Sequence, residues 1–315
     1  MRTARGLPFA ATAYMKLIIE GVIARVQRDH KVDLIALAFM ANHAHILIRA
    51  LDRDQCKRFY GEVQKQLTEA VKRLLGREHL NLWRPNGTSV VRYGDLASVL
   101  RRIAYAFANP ARANLVDSVE QYPGVTSYQS YKSAPATLNA ETTQECPWIQ
   151  LPMIPRLPSL SVTERQDLHL VGVMRARSKE RHDLSFRPHA WMEVFGITSD
   201  QEVRQARDEV LRLLEEFERE AREKRAAQGW RVKGAKRLRA EPINLSYVPP
   251  RSVRIFVYAV DRDTRIRMIA QFKEFCQRCR ECYEAWKRGD YRVEWPPGAF
   301  EPARPVQFNW LASAV

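Results

Sequence analysis

The sequence predicts an α+β protein, and three observations carry that reading. A stretch with apolar residues at helical spacing comes first; two short apolar runs come next, within hairpin distance of each other; further long helical patterns come after them. Residues 12–27 read as a helix whose apolar stripe is Leu17, Ile18, Val22, Ile23 and Val26. Residues 32–39 and 43–48 read as strands, with Met40-Ala-Asn42 turning the chain back between them. A second helix starts at Asp54, which serves as its N-cap, and runs to Leu75. Gly76 and Pro85-Asn-Gly87 break the chain, and residues 88–91 form a short strand. A third helix covers residues 95–108 and ends near Asn109-Pro110, because the residue before proline disfavours the helical region.

Tyr122-Pro-Gly124 closes this unit, so the expected organisation is a domain over residues 1–130 and a Pro-rich connector over 131–160. A mainly helical accessory region of unknown role then covers 161–315. Within it, residues 163–176 and 190–195 read as short helices and 199–228 as a long charged one. Ser199 and Glu202 have capping-box spacing. Residues 230–239 are a basic surface segment or a nucleic-acid contact, 261–288 a further helix, and the Pro-rich tail from Val293 lies over the surface.

Lys and Arg number 51 against 36 Asp and Glu. Residues 1–130 hold 19 against 11 and the remainder 32 against 25, so the basicity is spread along the chain. That favours contact with a polyanion, most often nucleic acid. No apolar run of about 18 residues is present to cross a bilayer, and the N-terminus lacks the apolar core of a secretory signal. Five cysteines, three of them at 276, 279 and 282, do not form the framework of a small secreted domain, so a cytoplasmic setting is expected. On a helix those three share one broad face. With no fourth ligand at motif spacing, buried thiols under Phe272, Phe275 and Tyr283 are favoured over a zinc or iron–sulfur site.

The chemistry concentrates at His43-x-His45. Residues two apart on a strand point the same way, so both imidazoles can meet one metal ion, although hydrogen-bonded core histidines fit the spacing equally well. Imidazole and neutral oxygen donors suit Mn²⁺, while Mg²⁺ prefers oxygen but is abundant. Tyr105 and Asn109 are four apart and share a helix face. If that face covers the histidine strand, Asn109 completes a three-residue metal site and Tyr105 lies beside it. A phenol is a weak nucleophile at neutral pH, and a divalent cation assists by polarising a phosphate and aligning its oxygens. Taken alone, Tyr105 reads as a core aromatic and Asn109 as a helix stop.

Three segments in order, Arg5-Gly-Leu-Pro-Phe9, Phe39-Met-Ala-Asn-His-Ala-His-Ile-Leu-Ile48 and Tyr105-Ala-Phe-Ala-Asn-Pro-Ala-Arg-Ala-Asn-Leu-Val116, followed by Tyr122-Pro-Gly-Val-Thr-Ser-Tyr128, carry a resemblance to a family. Residues 5–130 resemble the HUH-type tyrosine transposase domain of small insertion sequences, and within it the REP-associated branch. The resemblance implies a ferredoxin-like antiparallel sheet with packed helices. It implies a metal-dependent transposase, active in DNA recombination, that cleaves and rejoins hairpin-flanked single-stranded DNA through a 5′-phosphotyrosine. It assigns Tyr105 as nucleophile, His43, His45 and Asn109 as ligands, and Mg²⁺ or Mn²⁺ as the ion.

Ala41 replaces the family's usual proline, and Ala44 is a minimal middle residue. The resemblance also implies a first strand with a His-x-Thr-x-Arg-like segment, for which the four residues before Arg5 leave almost no room. An upstream start, a later segment standing in for the strand, and a degenerate copy are all open.

Arg101, Arg102 and Arg112 bracket Tyr105; Arg101, at i−4, could touch a nearby phosphate, and ordinary solvent exposure is the default for Arg101 and Arg102. Lys57 and Arg58, with Lys65, Lys72 and Arg73, decorate the second helix as further DNA contacts. Trp83 and Tyr93 are available to stack on bases, or to pack in the core. Two other functions fit the same residues, a non-catalytic DNA-binding derivative and a phosphodiesterase that activates water. Monomer and homodimer are equally open.

Overall fold

The computed structural model describes residues 1–84, 89–248 and 255–303; the Pro85-Asn-Gly87 turn and most of the tail lie outside them. Helix α1 (Ala13–His30) begins where the Thr12 side chain accepts the Met15 N–H, and it buries the stripe read from the sequence. Strands β1 (Asp33–Met40) and β2 (His43–Arg49) pair antiparallel as a hairpin. Helix α2 (Arg53–Leu75) starts earlier than expected, because Asp52 and not Asp54 caps it by accepting the Gln55 N–H. Asp54 sits in the first turn and takes the Gly298 N–H instead. The helix stops at Gly76, whose φ of 60° a side chain would strain.

The strand expected at 88–91 falls at β3 (Arg92–Tyr93), with Thr88 outside the described residues. Helix α3 (Leu96–Arg112), capped by Asp95, does not stop at Asn109-Pro110. Proline there removes one donor in the last turn, and burial of Ala108, Pro110 and Ala111 carries the helix past it. Helix α4 (Tyr128–Ser133) comes after it.

Segment 131–160 carries a strand, β4 (Thr142–Trp148), which the proline content conceals. Pro147 is tolerated because β4 lies at a sheet edge. Helix α5 (Glu164–Arg177) leads into strand β5 (Glu180–Phe186), which buries His182, Leu184 and Phe186 in alternation and is absent from the sequence-based expectation. Helices α6 (Asp200–Ala227), with the capping box read from Ser199 and Glu202, and α7 (Ala235–Arg239) come next. Strand β6 (Val257–Tyr258) and helix α8 (Arg262–Lys287) complete the described elements. The short segment after Trp191 is a single 3₁₀ turn.

The protein is α+β. Its main sheet has the order β2-β1-β5-β4 and is mixed: β1 pairs antiparallel with β2 and parallel with β5, and β4 is antiparallel to β5. β3 and β6 form a separate parallel pair. Every residue of β1 after Asp33 is buried, as befits a central strand covered on both faces. Leu34, Leu37 and Phe39 face a core with α1 and α2, while Ile35 and Ala36 face one with α3 and α6.

Two polar fixtures join early and late parts of the chain. Asp167 on α5 accepts the backbone N–H groups of Ala13 and Tyr14 at 2.8 Å each, at the start of α1. Asp33 takes Arg49 at 2.8 Å and Arg187 at 2.9 Å, and Arg49 continues to Glu193 and the Ala190 carbonyl.

Candidate active site

His43 and His45 lie on one face of β2, with Ala44 buried on the other. Their ring centroids are 5.2 Å apart and nearly perpendicular. Asn42 Oδ1 contacts His43 Nδ1 at 2.8 Å, which fixes that ring. α3 crosses this face. The Tyr105 ring is 5.8 Å from that of His45, and the Asn109 amide reaches His45 Nε2 at 2.7 Å. Asn109 also hydrogen-bonds His43. Because α3 continues past Asn109, the amide stays one turn beyond Tyr105. The four residues read from the sequence therefore converge.

Burial pushes the His43 pKa down to about 4, with Arg2, the N-terminal amine and Arg102 adding to the effect. Burial also holds His45 well below the usual range, helped by His43 and Arg102. Both imidazoles are then neutral at pH 7 with lone pairs to give, the form a metal ligand needs. Turning the Asn109 amide would direct its oxygen at the same point. Among the described residues no three His, Cys, Asp or Glu side chains cluster to hold an ion. The donors these residues could offer an ion are two imidazoles and, with the amide turned, one oxygen, a set that would suit Mn²⁺ better than Mg²⁺.

Beside the histidines, Met1 and Ala44 exchange two backbone hydrogen bonds of 2.9 Å, and Arg2 bridges His43. Burial, with Arg2 and Arg102 adding to it, lowers the pKa of the Met1 amine to about 5. Since the N–H and C=O of Ala44 face away from β1, those of Ile46 and Ile48 do too by strand alternation. No described strand covers that edge. Residues 89–93, which include β3, line the opposite side of the gap. Between the two sides runs a cleft of about 580 Å³ that reaches His43, His45 and Tyr105. Five arginines line it (2, 49, 84, 92 and 102), together with Tyr60 and Tyr93, and among the described residues no carboxylate does.

The arginines flanking Tyr105 divide. The Arg102 guanidinium lies 4.9 Å from the centre of the Tyr105 ring and hydrogen-bonds Tyr93. Arg112 lies 5.2 Å from the same ring and also packs on Phe217. Arg101 turns to Phe217 on α6, at 5.5 Å, so Arg102 replaces it as the cation at the site. Lys57 is engaged elsewhere, donating to the Ala299 carbonyl at 2.7 Å, and Arg58 is exposed on α2 outside the cleft lining. Trp83 packs against Phe9 and donates to the Gln64 carbonyl, a core role, whereas Tyr93 lines the cleft.

Cys276, Cys279 and Cys282 are free, half-buried thiols on α8. Sequence reasoning missed Arg2, Arg84 and Arg92. Arg92 immediately precedes Tyr93, but nothing in the sequence signals that β3 faces the histidine strand. Compared with known protein families, with curated proteins and with solved structures, the chain matches none.

Proposed function

We propose that this protein is a metal-dependent DNA strand transferase of the HUH tyrosine type, acting on hairpin-flanked single-stranded DNA. The observation that carries this reading is the meeting of Tyr105, Asn109 and two neutral histidines at the end of an arginine-lined cleft. Such a cleft, with aromatic side chains among its cations, suits a single strand's phosphates and unpaired bases. His43, His45 and Asn109 would hold a divalent ion, which when bound supplies charge stabilisation at the scissile phosphate.

The Tyr105 oxygen attacks phosphorus, and the P–O3′ bond breaks. The 3′-hydroxyl leaves with a proton, the phenolic proton passes to solvent, and a 5′-phosphotyrosine remains. Attack by another 3′-hydroxyl reverses these bonds and rejoins the strand. Arg102, at the Tyr105 ring, is placed to bind a non-bridging phosphate oxygen and to orient the phenol.

A second reading, a DNA-binding protein that does not cleave, rests on the same arginine-lined cleft. A hairpin-flanked oligonucleotide labelled at its 3′ end separates these. The first reading expects a labelled covalent adduct that needs Mn²⁺ or Mg²⁺ and is abolished by Tyr105→Phe. Binding without adduct in either metal supports the second. Cleavage that survives Tyr105→Phe overturns the tyrosine mechanism in favour of activated water.

A further inference from the structure

Helix α8 has no part in the proposed strand transfer, yet it is placed beside the substrate cleft. Met268 is its only buried residue, so it is held at few points. One of them is Gln271, whose side-chain oxygen meets Arg92 at 3.5 Å. One turn on, the Arg53 guanidinium from the start of α2 lies 5.4 Å over the Phe275 ring. These residues, with Arg278, Glu274 and Pro296-Pro297, line a second, open cavity of about 290 Å³.

Three arginines from three separate elements, α2, β3 and α8, therefore face one small space with a single carboxylate among them. None of the three forms an ion pair with a described residue. Like charges gathered without counter-charge repel one another, and an anion in the cavity relieves that repulsion. Continuity with the arginine-lined cleft favours a strand of nucleic acid over a simple ion. Arg92 lines both this cavity and the cleft that ends at Tyr105, so the two spaces share a wall.

We infer that the cavity under α8 is a second phosphate-binding station on one single-stranded DNA track. The strand held at Tyr105 runs past Arg92, and Arg53 and Arg278 grip its backbone one station further on. The C-terminal helix is then a substrate-binding element, which gives a role to part of the accessory region. This inference rests on the cleft being a single-strand site.

The test is fluorescence anisotropy on full-length Tyr105→Phe protein, with and without Arg53→Ala/Arg278→Ala. Single strands of about 4 and about 16 nucleotides are titrated across salt concentrations, the two lengths spanning common site sizes. Each lost phosphate contact lowers the slope of log affinity against log salt by about 0.7 for single strands. The double variant is expected to lose about 1.4 in slope on the long strand, roughly sevenfold in salt sensitivity from 50 to 200 mM, and nothing on the short one. An unchanged slope on the long strand overturns the inference, as does an equal loss on both lengths. Equal competition by inorganic phosphate or by duplex of the same length also overturns it, by making the cavity a general anion site. Thermal unfolding of the double variant checks that the fold is retained. If the short strand does not bind even the parent protein, the cleft reading itself fails, and the track fails with it.

Discussion

Asn109 and Arg102 decide at the scale of single residues what the histidine pair can do, and they differ in how visible they are in the sequence. Asn109 follows Tyr105 by four, a spacing that places both on one helix face whatever the surroundings. Arg101 and Arg102 precede Tyr105 by four and three, and both spacings reach its face. The choice between them rests on Phe217 of α6, which draws Arg101 away, and no local pattern encodes a partner so distant in sequence. A third residue, His189, is fully buried. Neither of its ring nitrogens has a hydrogen-bond partner of ordinary geometry among the described residues. Burial lowers its pKa to about 4. The unfolded chain therefore binds a proton that the folded one refuses between pH of about 6.5 and 4, and stability falls as pH falls through that window. His189→Leu should lose roughly 2 kcal/mol less than the parent between pH 7 and 4.5 in urea unfolding. Equal acid sensitivity of the two proteins would refute this.

The legible elements are those with long periodic stripes or caps, such as α1, α6 and the β1–β2 hairpin. β5 alternates His182, Leu184 and Phe186, but charged residues between and before them mask a strand of ordinary pattern. β3 and β6 hold two residues each, too few to show any period. The second cap on α1 is illegible for another reason. Thr12 is a local cap that the sequence offers openly, whereas Asp167 supplies two acceptors from another helix. Removing a capping acceptor costs about 1–2 kcal/mol. Asp167→Ala should lower the unfolding free energy by about that amount, and Asp167→Asn by less, because its amide oxygen still accepts. A loss in Asp167→Asn as large as in Asp167→Ala would count against the cap.

Across the whole molecule, the unit read from residues 1–130 is bound to the later half of the chain. β1 has β5 along one edge, α3 lies against α6, and the Asp33 cluster recruits Arg187. A fragment ending at residue 130 would expose Ile103 and Phe107, which pack in the core shared with Val210 and Leu214 of α6. Burying a large apolar side chain is worth about 1.5–3 kcal/mol, so losing several such contacts exceeds the stability typical of a small domain. The fragment is expected to show no cooperative thermal transition by circular dichroism. A sharp transition near that of the full chain would show that the unit is autonomous.

The Asp167 cap has a consequence for how the chain is made. Asp167 follows Ala13 by 154 residues. At about 5–20 residues per second, a ribosome delivers it roughly 8–30 s after the helix it caps. Through that interval the first turn of α1 has only Thr12 to hold it, and β1 awaits the strand that will close its second edge. Helix α1, made well before α5, is thus finished only once α5 has been delivered.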